Sequence, residues 1–274
     1  MAVPTQPTPT SGPAGPTVPA SGLGHELIAQ LRSELRKTYS TRLWWVLLIP
    51  AALLSLAASQ GAGALAFTSS LGMALALGWF CSKLAVVYGL VCAAGEFRHR
   101  TITTSYLAAP RRWLVTAAKA LVAALVGAVY AVASALAGVL GVVFAGGLPD
   151  IELDTLLAVC GAAVLTFGLW AVLGVGMGTL LNNELAAIVA VLLYLWPGEK
   201  IVSVIASLTG LGQIEDYLPG GAADAVLTDL ANASSLGGGS SGTLPWWLAL
   251  LIFAGYAAVA VLAGAAAAQR RDIT

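Results

Sequence analysis

The chain has 274 residues, of which 58% are hydrophobic and only 9% charged, with 13 Lys and Arg balanced by 13 Asp and Glu. Such a composition excludes a soluble globular domain and places the chain among membrane proteins. Net charge is uninformative in that class; what matters is how charge divides between the two faces of the bilayer.

Residues 1–22 carry no charge and consist mainly of Pro, Thr, Ser, Gly and Ala. They cannot bury enough apolar area to offset chain entropy, so a disordered tail is expected. The start lacks the early positive charge and adjacent apolar run of a secretory signal.

Over residues 23–41 the spacing becomes helical. Leu23, Leu27, Ile28, Leu31 and Leu35 recur every three or four positions, with Glu26, Arg32, Glu34, Arg36 and Lys37 between them. The pattern predicts an amphipathic interfacial helix lying in the headgroup layer with its leucines toward lipid, or packed on a partner, or both.

Six hydrophobic spans are then expected within residues 42–274. They run from Leu43 to Ser59 with Pro50 inside, Leu71 to Ala94, Trp113 to Phe144, Thr155 to Leu181, a fifth from Glu184, and Leu244 to Ala268. Most can cross the roughly 30 Å hydrocarbon layer at about 1.5 Å per residue. The fifth is short before Pro197, so a bend at Pro197-Gly198 is predicted, followed by a short outer helix over residues 201–211. Residues 219–242, rich in Gly, Ser, Ala and Asp, read as an exposed loop. Together residues 198–243 form the expected extracellular helix and loop.

Basic residues set the orientation. Arg32, Arg36, Lys37 and Arg42 precede the first span, Arg98, Arg100, Arg111 and Arg112 lie between the second and third, and Arg270 and Arg271 follow the last. Six spans put all of them on one side, which makes that side and both termini cytoplasmic in a multi-pass cell-membrane protein. An odd number would destroy the separation. The fold class expected is therefore all-α and polytopic.

The segment 95–113 then becomes a cytoplasmic loop, part of the longest charge-rich run in the chain. Glu96 and Arg100, four apart, would pair on a helix lying along the membrane surface. By composition alone, its arginines could simply hold anionic lipid and enforce topology.

The run Glu96-x-x-x-x-Thr101, followed by Ala109-Pro110-Arg111-Arg112 and then Lys119, resembles the signature of the type-2 ABC transporter permeases. The expected layout over residues 23–274 is similar to that family as well. The family often has Gly before the Thr, where this chain has Arg100, and the N-terminal tail is not a family feature. The resemblance implies an export subunit without its own ATPase site, docked on a separate nucleotide-binding subunit that carries ATP and Mg. This agrees with the absence of a GxxxxGK[ST] loop from the sequence. It further implies that Glu96, Arg98, Arg100 and Thr101 form the coupling contact, with Arg32, Glu34, Arg36 and Lys37 beside it. A second permease subunit, identical or homologous, would complete the pore. The cargo would be a hydrophobic or amphipathic drug, antibiotic, peptide or lipid. Membrane lipids are further partners, and no nucleic acid is expected.

Within the spans, Lys83 is the most unusual residue, since an unpaired ammonium there costs on the order of 3 kcal/mol. It reads either as a contact for an anionic part of the cargo or as a lysine that snorkels or pairs with a backbone carbonyl. Gly174 and Gly178 form a small-xxx-small face for helix packing, at a subunit interface or within one chain. Cys81, Cys92 and Cys160 lack metal-ligand spacing. Two readings from other classes remain, a non-transporting membrane scaffold and a membrane-embedded enzyme. The enzyme would need a cluster of Asp, Glu, His or Ser at matching depth in several spans, and none is visible in the sequence.

Overall fold

The computed structural model describes residues 23–64, 71–98, 111–144, 153–181, 183–210, 212–233 and 244–270. These residues form helices and a few short turns, with no strand among them. The predicted tail and residues 99–110 of the charged loop lie outside the described residues, Arg100 and Thr101 included.

Nine α-helices are described: α1 (Leu23–Ser40), α2 (Leu43–Ala64), α3 (Leu71–Arg98), α4 (Arg112–Phe144), α5 (Leu153–Leu181), α6 (Glu184–Leu193), α7 (Glu199–Leu208), α8 (Pro219–Ala233) and α9 (Trp246–Arg270). Among the described residues five helical stretches are long and apolar enough to cross a membrane: Leu43–Gln60, Trp113–Phe144, Leu156–Leu181, Glu184–Leu208 and Trp246–Arg270. The outer surface fits a lipid environment. Leu121, Leu125, Val132, Leu136 and Leu140 recur along one face of α4 and are all exposed, as are Leu251, Val259 and Leu262 on α9.

α5 is the hub, packed against α3, α4 and α9. Glycine permits that approach. A methyl group at Gly174 would run into the Val86 carbonyl of α3, and one at Gly178 would meet the Leu90 carbonyl. This small-residue face therefore packs within the chain, as one of the two sequence readings has it. Around it the core gathers Tyr88, Tyr130, Trp170 and Phe253, with Trp170 and Phe253 ring centroids 4.8 Å apart. An aromatic pair in this geometry adds roughly 0.5–1.5 kcal/mol beyond its buried area.

Three expectations are corrected. The short outer helix expected over residues 201–211 is not separate from the fifth span: at Pro197-Gly198 α6 continues into α7 through a π-turn over Tyr194–Gly198, in which the Glu199 N–H bonds to the Tyr194 carbonyl. The wider turn accommodates Pro197, which has no N–H and whose ring would clash with the carbonyl four residues earlier. The span thus reaches Leu208 and covers 25 residues.

Residues 219–233 form helix α8 rather than an exposed loop. Pro219 takes the first helical position, and Ala222, Ala223 and Val226 are completely buried. Alanine allows this helix to sit tightly against α9 and α5.

On α1, Leu27, Leu31 and Leu35 do not face outward to lipid. They are half-buried on the same side as the buried Glu34 and Thr38, the side by which α1 packs on α4.

Candidate functional site

Two groups of ionisable side chains are built into the bundle. The first joins α1 to the end of α3 and the start of α4. Lys37 Nζ donates to Glu34 Oε1 at 2.6 Å and to Glu96 Oε1 at 2.8 Å. Lys119 Nζ reaches Glu34 Oε2 at 2.7 Å and Glu96 Oε1 at 2.9 Å. Among the described residues two ammonium groups and two carboxylates thus alternate in a ring of contacts whose charges balance. Glu34 and Lys119 are each only 2% exposed, so desolvation is offset by having opposite charges on both sides. Burial by itself would lower the pKa of Lys37, but its hydrogen bonds to Glu34 and Glu96 outweigh that and hold it above the ordinary lysine value.

Deeper in the bundle a second layer supports the ring. Thr38 of α1 shares a hydrogen bond with the Tyr88 hydroxyl of α3 at 3.2 Å. Tyr88 meets Tyr130 of α4 edge to face at 6.0 Å, and Tyr130 donates to the Trp44 carbonyl at the start of α2 at 2.6 Å. Lys119 lies 11 residues before Tyr130 on α4, roughly 16 Å along the helix axis. The ring therefore lies beyond the level at which α2 begins.

Several helix ends meet beside the ring. Phe97 of α3 packs with Val115 of α4 and Ala268 of α9, and Arg98 forms an exposed 3.1 Å ion pair with Glu184 at the start of α6. Asn183 caps α6 by accepting from the Ala186 N–H. On the opposite side of α1 an open groove of about 730 Å³ is lined by His25, Ile28, Arg32, Arg36 and Lys37, among others. Lys37 is common to the groove and the ring.

Of the predicted coupling residues, the structure brings Glu34, Lys37 and Glu96 together and leaves Arg32 and Arg36 exposed on the groove. Glu96 pairs with Lys37 and Lys119, and Arg98 stands apart on Glu184. Lys119, quoted in the motif without a role, is a full member of the ring. Its signal was in the sequence: it is the first charge inside a long apolar helix, and a buried lysine requires acids.

The second group surrounds Lys83 on α3. Its ammonium lies 4.2 Å from the centroid of the buried Trp170 ring, a cation–π contact, and Lys83 itself is 6% exposed. The carboxylates of Asp224 on α8 and Glu199 at the start of α7 lie near enough to act on its charge. Glu199 Oε1 accepts the Gly220 N–H at 2.8 Å, so a carboxylate occupies the positive N-terminal end of α8. A side chain at position 220 would collide with that carboxylate, which explains Gly220. The sequence does not point to Asp224 as a partner of Lys83 because residues 219–242 read as a loop, and Glu199 is brought to the group by tertiary packing.

Among the described residues no three His, Cys, Asp or Glu side chains gather as a metal site. No protein-family model and no curated protein matches the sequence.

Proposed function

We propose that the chain is the membrane-spanning subunit of an ATP-driven exporter of the type-2 ABC kind, moving a hydrophobic or amphipathic compound with energy from a separate ATPase subunit. The observation that carries this reading is Lys37, which lines the exposed basic groove of α1 and also bonds into the ring that grips α3 and α4. A partner pressing on the groove acts directly on a neutral set of buried charges linked to both helices that flank the charged loop. Such a set favours rigid-body transmission over local yielding, because separating its members exposes uncompensated charge.

The same reading takes α3, 28 residues long, as a sixth crossing. It is supported by the gathering of the end of α3, the start of α4, the start of α6 and the end of α9 at one level of the bundle. Six alternating crossings bring these ends together, with the basic residues on the same side and that side cytoplasmic. Two such chains, or one with a homologue, would enclose the path.

The test is affinity purification of the full chain from its native membrane in mild detergent. A nucleotide-binding subunit should co-purify, and the double charge reversal Arg32→Glu/Arg36→Glu should release it while leaving the chain folded. A chain that emerges without any ATPase contradicts the reading and favours a scaffold.

A further inference from the structure

The Lys83 group holds more acid than base. Asp224 and Glu199 both act on the one ammonium of Lys83, and Lys200 is engaged at 2.9 Å by Glu215. Glu199 Oε1 already accepts a hydrogen bond, from the Gly220 N–H. Asp224 Oδ1, by contrast, is buried and accepts no hydrogen bond from the described residues. Two carboxylates and one ammonium become neutral by taking up a single proton, and the buried oxygen left open belongs to Asp224.

We propose that Asp224 is a proton-binding site, and that Lys83, Asp224 and Glu199 form a proton-dependent latch holding α7 and α8 against α3. This does not depend on the permease reading. The latch spans three elements: Lys83 comes from a central helix, Glu199 from the end of the π-turn, and Asp224 from a helix whose neighbouring alanines are fully buried. When closed it keeps Asp224 Oδ1 away from water; when open it returns the acid to solvent. The closed arrangement therefore binds the proton more tightly, and by linkage the proton favours closure.

The surrounding charges divide: Glu199 and Glu215 favour the proton on Asp224, and Lys83 and Lys200 oppose it. Those acting on Asp224 include Lys83 of α3, Glu199 and Lys200 of α7, and Glu215 of the turn before α8. The other helices packed on α8 carry Asp154 and Cys160 on α5 and Tyr256 and Arg270 on α9 as titratable groups. Burial is the largest influence on Asp224 and pushes its carboxyl from an ordinary 3.8 up to about 7. The sign follows: closure strengthens as pH falls from about 7 toward 3.8 and loses that gain as pH rises back through 7.

The test is an infrared pH titration of the full chain in lipid nanodiscs, paired with hydrogen exchange of α8 corrected for intrinsic rates. A carboxylic-acid carbonyl band should vanish with a midpoint near 7, be absent from Asp224→Asn, and persist in the conservative Asp224→Glu. Lys83→Met should move the midpoint upward, because the ammonium favours the ionised acid. Protection of α8 should fall with rising pH by up to about tenfold per unit below the midpoint, and be flat in Asp224→Asn. Absence of the band in the native chain overturns the proposal without any variant. So does a band unchanged in Asp224→Asn, or α8 protection that varies with pH equally in that variant.

Discussion

Lys119 and Glu34, 85 residues apart in sequence, meet at 2.7 Å with side chains that are each only 3% exposed. This contact fastens a surface helix to the bundle and makes α1 part of the same body as α3 and α4. Removing one member of a buried pair leaves the other charge uncompensated, at a cost of about 3–5 kcal/mol. Lys119→Met should therefore destabilise the chain by that order in thermal unfolding in detergent. The double variant Lys119→Met/Glu34→Leu should recover part of the loss, since Lys37 and Glu96 remain to neutralise each other.

Arg98 and Glu184 give the contrasting case. Their 3.1 Å pair has an arginine side chain 66% exposed, so solvent screens most of its attraction. Arg98→Ala should change stability by less than about 1 kcal/mol in the same assay. A loss as large as that at Lys119 would mean that the ends of α3 and α6 depend on each other far more than this geometry implies.

The pH response of the ring has a definite sign. Lys37 holds its proton more tightly in the folded chain than the ordinary lysine value of 10.5, owing to Glu34 and Glu96 acting against burial. A raised lysine pKa contributes stability that is fully present below 10.5 and lost as pH climbs beyond it. Release of α1, followed by a spin label at exposed Tyr39, should thus be absent at neutral pH and begin only in strong alkali. The Lys37→Met variant should have lost that contribution already and show a smaller alkaline response.

Packing of α5 on α3 gives a further expectation. Gly174→Ala places a methyl group against the Val86 carbonyl, a backbone atom that can yield only if the helices separate. The cost should be about 1–3 kcal/mol or more. Gly161→Ala, on the same helix with no atom within 4 Å of the added carbon, should be neutral or gain up to about 1 kcal/mol from helix propensity. Equal effects at the two positions would contradict the packing described.

Much of the fold was legible in the sequence because long apolar runs announce crossing helices and their limits. Trp113–Phe144 and the helix ending at Leu181 lie where hydropathy puts them. The errors fall where local signals conflict. Pro197 signals a bend into a separate outer helix, but a π-turn absorbs the proline and carries the same helix through it. Gly220 and Gly221 signal a loop, yet Ala222, Val226, Leu227 and Leu230 repeat at helical spacing, and Glu199 supplies a cap from 21 residues away. At the ring, residue identity was legible and pairing was not. Glu96 has Arg100 four residues on, whereas its partners among the described residues, Lys37 and Lys119, are brought to it by tertiary packing.

The most direct measurement of the central claim is ATP turnover by the complex purified from native membrane, comparing the native chain with Glu96→Ala and Arg98→Ala. Glu96 faces both lysines of the ring, whereas Arg98 makes an exposed pair beside it. The account predicts an ATPase that stays bound in all three preparations and loses regulation by the membrane subunit only in Glu96→Ala. Turnover equal in all three, or no ATPase in the native preparation, would contradict it.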